Sequence, residues 1–124
     1  MGIATKNKRK IIFRDEKFYW WVKAEFDGHK GMLEVNIASE DKKFLVRYYV
    51  VQNPETNRYI TVIGSEFPGL EKKDGNWKRF ICPDFIPNFD NHGVGPKNIE
   101  SILRWCFDPE KVLTSVNYKG EIIN

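Results

Sequence analysis

Phe18-Tyr19-Trp20-Trp21-Val22-Lys23-Ala24-Glu25-Phe26 is the stretch that decides the fold. Side chains of a β-strand alternate between its two faces, so Phe18, Trp20, Val22, Ala24 and Phe26 share one side. Tyr19, Trp21, Lys23 and Glu25 share the other. The first set is predicted to be core. On the second face aromatic rings stand beside charge, and that face needs a separate explanation.

The pattern repeats on both sides of this stretch. Lys8 to Arg14 reads as a short strand with Ile11 and Phe13 on one face, joined through Asp15-Glu16-Lys17. Asp27-Gly28-His29-Lys30-Gly31 is a turn. Met32 to Ser39 sets Leu33, Val35 and Ile37 against Glu34 and Asn36, and Glu40-Asp41-Lys42-Lys43 makes a polar hairpin loop. Phe44 to Val51 is apolar on both faces, which predicts a central strand. After the turn at 53–57 the chain runs back from Arg58 to Gly64. Hairpins at this regular spacing predict an antiparallel meander.

Ser65 to Gly95 is different: prolines and glycines break it up, yet Phe67, Leu70, Phe80, Phe85, Ile86 and Phe89 lie in it. Its one strand-like piece is Trp77 to Cys82. Long loops are uncommon without a role, so this one either lies on the core or lines a cleft. Lying on the core, it is expected to cover Tyr19 and Trp21. Pro96 then opens a helix over about 96–107, since a first-turn proline sacrifices no hydrogen bond. Ile99, Ile102, Leu103, Cys106 and Phe107 form its apolar stripe. Val112, Thr114, Val116 and Tyr118 alternate before a turn at Lys119-Gly120, predicting one more strand. The expected fold is therefore α+β and β-rich. About six or seven mostly antiparallel strands form a curved sheet or small sandwich, closed by one C-terminal amphipathic helix.

The 124 residues fit one domain, predicted over 8–124 behind a flexible basic leader at 1–7. Of the 20 basic residues, Lys6, Lys8, Arg9, Lys10 and Arg14 fall in the first 14 positions, where there is no acidic residue. The remaining 15 face 17 acidic residues, a net of −2. The formal +3 is thus a property of the N-terminus. No apolar run approaches the ~20 residues of a membrane span, and no secretory apolar stretch opens the chain. With only two cysteines, Cys82 and Cys106, the chain is expected to be cytoplasmic.

Recognisable catalytic patterns are missing. Neither a Gly-x-Ser-x-Gly elbow nor a phosphate-cradling glycine loop occurs, and Cys82 and Cys106 are too far apart for a CxxC pair. Asp84, Asp90 and His92 are the right residue types for a divalent metal, at a spacing that matches no known ligand pattern. His29 reads as a solvated turn residue. No cofactor is expected. The leading expectation is a non-enzymatic binding or protein-interaction module, self-associating or holding a partner. Its contact residues would be Phe67, Trp77, Phe85, Phe89, His92 and Trp105, beside the 65–95 loop. One alternative is a single-stranded nucleic-acid binder using Lys8, Arg9, Lys10, Tyr19, Trp21 and Arg47, because rings interleaved with cations can stack bases. Another is a metal-assisted enzyme at Asp84, Asp90 and His92.

Two segments also carry a resemblance. Phe18-Tyr19-Trp20-Trp21-Val22, with Val94-Gly95-Pro96, Ile99 and Ile102-Leu103-Arg104-Trp105, resembles a set of small uncharacterised bacterial proteins. In those, a Tyr-x-Trp-x-Val-like strand begins the domain and a Pro-initiated helix closes it. The resemblance implies a β-rich domain with a late helix, and no activity or site residues.

Overall fold

A computed structural model describes residues 8–25, 32–52, 55–70, 77–87 and 93–123. The turn expected at 27–31 lies outside them, as do Phe26, Phe89, Asp90 and His92. Six strands are described: β1 (Arg9–Phe13), β2 (Glu16–Glu25), β3 (Met32–Ser39), β4 (Leu45–Tyr49), β5 (Tyr59–Val62) and β6 (Lys78–Ile81). They form one antiparallel sheet in sequential order, an unclosed meander with β1 and β6 at its ends. One helix, α1 (Pro96–Cys106), follows among the described residues. The fold is mostly β, of α+β type, and the sandwich alternative is not what forms.

The first hairpin turns one residue earlier than Asp15-Glu16-Lys17. Arg14 and Asp15 both adopt left-handed backbone, φ 52° and 65°, which a two-residue hairpin turn requires. Lys17 therefore lies within β2, paired with Ile12. The face assignment survives because strand parity does not depend on the turn's length. Phe18 and Trp20 are buried. Val22 shares their face but is exposed, because β1 begins opposite Trp20 and leaves Val22 unflanked on that side.

α1 covers that face. Ile99, Ile102, Leu103 and Cys106 are wholly buried in one cluster with Phe18, Val35, Ile37, Val46, Tyr48 and Ile60. Each large aliphatic side chain so buried contributes about 1.5–3 kcal/mol. The helix start is fixed by Pro96 and by Asn98, whose Oδ1 accepts from the Gly95 amide at 2.9 Å. The Asn98 amide group also donates to the Phe85 carbonyl at 3.1 Å, which ties the helix to the preceding loop.

The described parts of that loop lie on the core as well. Phe67 stacks between Phe44 and Phe80, at ring separations of 6.1 and 6.0 Å. Phe85 packs edge-on against Tyr48 at 5.2 Å. The Tyr48 hydroxyl organises the turn: it donates to Asp84 Oδ1 and accepts from Arg58 Nη1 and the Phe85 amide. Phe67 and Phe85 thus pack on the face opposite Tyr19 and Trp21, where the loop was not expected, while Trp77 of the same stretch stands on the Tyr19 and Trp21 side. The sequence pattern of 65–95 could not say which face of the sheet its aromatics would choose.

The tail forms isolated bridges, Phe80 with Ser115 and Val116 with Ile122, and no full seventh strand. It folds back on itself at Asn117–Gly120, so its contact with β6 is short. Gly120 carries φ 81° there, as the expected turn at Lys119-Gly120 needs.

Both cysteines are free and buried. Burial pushes both thiols well above their ordinary range, and it does the same to the Tyr48 hydroxyl. A thiol reagent at pH 8 is expected to leave the folded protein unmodified and to label both sites in denaturant. Unfolding lets the thiols ionise near pH 8.5, so their contribution to stability is level below about pH 8 and falls as pH rises beyond it. The slope approaches about 1.4 kcal/mol per pH unit for each thiol. A urea midpoint unchanged between pH 8 and pH 10.5 would contradict this.

Candidate functional site: the uncovered face of the sheet

Three strand registers build the face that α1 leaves open. One row runs Trp21–Asn36–Arg47–Thr61–Arg79 across β2 to β6. A second runs Lys10–Tyr19–Ala38–Leu45 across β1 to β4. A third sets Lys23 against Glu34 and Glu34 against Tyr49. Strand parity adds Lys8, Ile12, Lys17, Tyr59 and Ile81 to this face. The result is a plane of Tyr19, Trp21, Tyr49 and Tyr59 rings. Lys8, Lys10, Lys17, Lys23, Arg47 and Arg79 stand among them, with Glu34 as the acidic position.

Trp77, immediately before β6, joins this plane. Its ring lies under the Arg47 guanidinium at 5.4 Å, and it is 49% exposed. Lys8 Nζ sits over the Trp21 ring at 4.4 Å. A cation held over an indole is worth about 0.5–1 kcal/mol at an exposed site. Such caps are weak enough to be displaced by a better stacking partner.

At the centre of the plane the polar groups are buried. Glu34, Asn36 and Thr61 are each at most 4% exposed, although alternation in β3 alone marks Glu34 and Asn36 as an outward polar face. Arg47 Nε lies 3.3 Å from Glu34 Oε2 and donates to Asn36 Oδ1 at 3.2 Å. Asn36 Nδ2 donates in turn to Glu34 Oε2 at 3.2 Å. This closed triangle satisfies the buried carboxylate and holds Arg47 by its inner nitrogen. The Tyr59 hydroxyl donates to the Tyr118 carbonyl at 2.7 Å, which anchors its ring to the C-terminal turn.

The expected residues are distributed unevenly. Of the set proposed for nucleic acid, Lys8, Lys10, Tyr19, Trp21 and Arg47 lie together on this face. Arg9 points to the other side, over Trp20 at 5.3 Å. The set proposed beside the loop does not converge. Phe67 and Phe85 are buried in the core, and Trp105 is half-buried edge-on to Phe85 at 6.0 Å. Trp77 stands on the opposite face, and Phe89 and His92 lie outside the described residues. A recess of about 460 Å³ exists on the helix side, lined by Glu16, Phe18, Asp41, Phe44, Glu66 and Phe107 among others. Phe67 is the one member of that set that borders it.

Asp84, the described member of the candidate metal group, is committed to its own turn. It accepts from Tyr48 and from the Ile86 amide at 3.0 Å, with Arg58 Nη2 3.9 Å away. Among the described residues no group of three or more His, Cys, Asp or Glu is placed to hold a metal ion. Nor is any described helix long and apolar enough to cross a membrane.

Sequence reasoning missed Trp77, Tyr59 and Arg79 as members of this face. Counting outward from the buried Phe80 would have placed Trp77 and Arg79 correctly, since alternation sends both opposite to it. No family model, curated protein or solved structure matches this chain.

Proposed function

We propose that the protein is a non-enzymatic binding module whose working surface is the uncovered sheet face, and that its ligand is single-stranded nucleic acid. The observation that carries this reading is the pairing of five aromatic rings with six basic side chains on one plane. Among the described residues α1, Phe67 and Phe85 all pack on the opposite side of the sheet, which leaves Trp77 49% exposed on this one. Aromatic side chains stack unpaired bases at about 1–3 kcal/mol each, and cations beside them neutralise the phosphates. A base that stacks on Trp21 displaces the Lys8 ammonium, which then pairs with the adjoining phosphate. Lys10, Lys17 and Lys23 extend the positive track along β1 and β2, the side of the sheet where the chain's excess of basic residues begins.

This reading keeps the binding-module expectation and moves its surface from the 65–95 loop to the sheet. Self-association through the free edge of β1 is disfavoured by Arg9 and Lys10, since charges on an edge strand oppose pairing. A cytoplasmic setting fits the two free thiols. The test is tryptophan fluorescence titration with single-stranded 12-mers, as DNA and as RNA, at low salt. Saturable quenching is expected. The logarithm of affinity should fall linearly with the logarithm of salt, with a slope of about −0.7 per phosphate contacted. Trp21→Ala and Trp77→Ala should each weaken binding roughly 5- to 150-fold. Absence of binding by wild-type protein at low salt would end the reading.

A further inference from the structure

Arg47 is held in a way that a simple phosphate contact would not require. Its charge is balanced at 3.3 Å by a carboxylate that is itself buried, Glu34. A buried ion pair is a costly way to gain stability, because desolvation offsets most of the attraction. Its best-attested use is to fix geometry. Here the geometry is specific: Glu34 and Asn36 engage Nε, and Cζ lies over the Trp77 ring at 5.4 Å. Among the described residues, neither Nη nitrogen has a hydrogen-bond partner. The outer edge of the guanidinium is thus a rigid two-donor fork in the middle of the ring plane, carrying little net charge.

A phosphate is recognised chiefly through charge, and the pair's charge is already spent on Glu34. A neutral edge with two acceptors side by side suits such a fork better. Guanine presents such an edge in O6 and N7, which take two parallel hydrogen bonds from arginine in the commonest specific base contact, and cytosine's N3 and O2 are the competing edge that the cytosine strand tests. Lysines around the rim supply the phosphate term. From this division of labour we infer that Arg47, positioned by Glu34 and Asn36, makes the sheet face selective for guanine. The inference rests on the reading of this face as a single-strand binding surface.

The test uses the full chain and three 12-mers that contain thymine throughout except for one central guanine, adenine or cytosine, titrated across a salt series. Wild-type protein should prefer the guanine strand by roughly 5- to 150-fold. Arg47→Lys, which keeps the charge and loses the fork, should abolish that preference, affinity for the guanine strand falling by roughly 5- to 150-fold more than affinity for the adenine strand. Glu34→Gln frees the guanidinium's charge and loosens its hold. It should reduce the guanine preference while strengthening overall binding and steepening the salt dependence. A urea midpoint for each variant verifies folding, and Arg47→Lys carries the test if Glu34→Gln does not fold. Wild-type binding to all three strands with equal affinity would overturn the guanine assignment while leaving the binding surface intact. Retention of the preference in Arg47→Lys, or a preference for the cytosine strand over the guanine strand in the wild type, would overturn it too. No binding to any strand would instead remove the surface itself.

Discussion

Phe18→Ala is expected to lower the free energy of unfolding by about 3–5 kcal/mol. Phe18 is 1% exposed and joins three separate parts of the chain. Its ring meets Phe44 at 5.6 Å from the β3–β4 loop and Phe107 at 5.8 Å from the end of α1. Phe13 meets it at 6.4 Å from the edge strand β1. Truncation removes apolar contact on all three sides. It also leaves a cavity that the sheet backbone, fixed by hydrogen bonds to β1 and β3, cannot close. Domains of this size are stable by only about 5–15 kcal/mol, so the loss is a large share of the total. Urea unfolding followed by tryptophan fluorescence measures it. Val112→Ala is the matched control: Val112 is 76% exposed, and its change should stay within about 0.5 kcal/mol. A Phe18→Ala midpoint indistinguishable from that control would show that the ring cluster is not what holds the helix to the sheet.

Gly64→Ala should be comparably damaging for a different reason. The Ile63 and Gly64 amides both donate to the Leu45 carbonyl, at 2.9 and 3.0 Å, which is the pattern of a bulge at the end of β5. The bulge draws Gly64 onto the backbone of the β3–β4 loop. A β-carbon there would lie 2.3 Å from the Lys43 oxygen and 2.6 Å from the Leu45 nitrogen. Both obstacles are main chain and have no rotamer to yield, so the Glu66 to Lys43 hydrogen bond must break as well. Overpacking of this kind costs about 1–3 kcal/mol and more where the backbone has to move. Gly95→Ala, where a β-carbon meets nothing within 4 Å, should cost less than about 1 kcal/mol. Equal urea midpoints for the two variants would refute the close approach.

Neither site advertises itself in the sequence to the same degree. Phe18 is legible as core from alternation alone, because neighbours two residues apart must share a face. Gly64 is simply the end of a strand until the bulge brings Lys43 against it. The helix follows the first pattern: Pro96, Ile99, Ile102, Leu103 and Cys106 declare both its start and its buried stripe. The loop follows the second, since Phe67 and Phe85 could have lined a cleft or lain on the core, and only the structure buries both.

The 15% aromatic content divides along the same line. Local periodicity was enough to sort Phe18, Trp20 and Phe44 from Tyr19 and Trp21, because strand geometry imposes it residue by residue. It also identified an antiparallel meander of about six or seven strands, of which six form, and the closing helix. What local pattern could not reach was the registration of distant strands. Trp21, Arg47 and Trp77 are separated by dozens of residues, and only the β2–β3–β4–β5–β6 hydrogen-bond ladder sets them on one plane. The same ladder puts Glu34, read from its own strand only as opposite Leu33, Val35 and Ile37, against the guanidinium of Arg47. Which face would be core was legible in the sequence, but burial is decided by what neighbouring strands and the helix cover, so the side of the sheet on which Phe67 and Phe85 settle belongs to the tertiary structure alone.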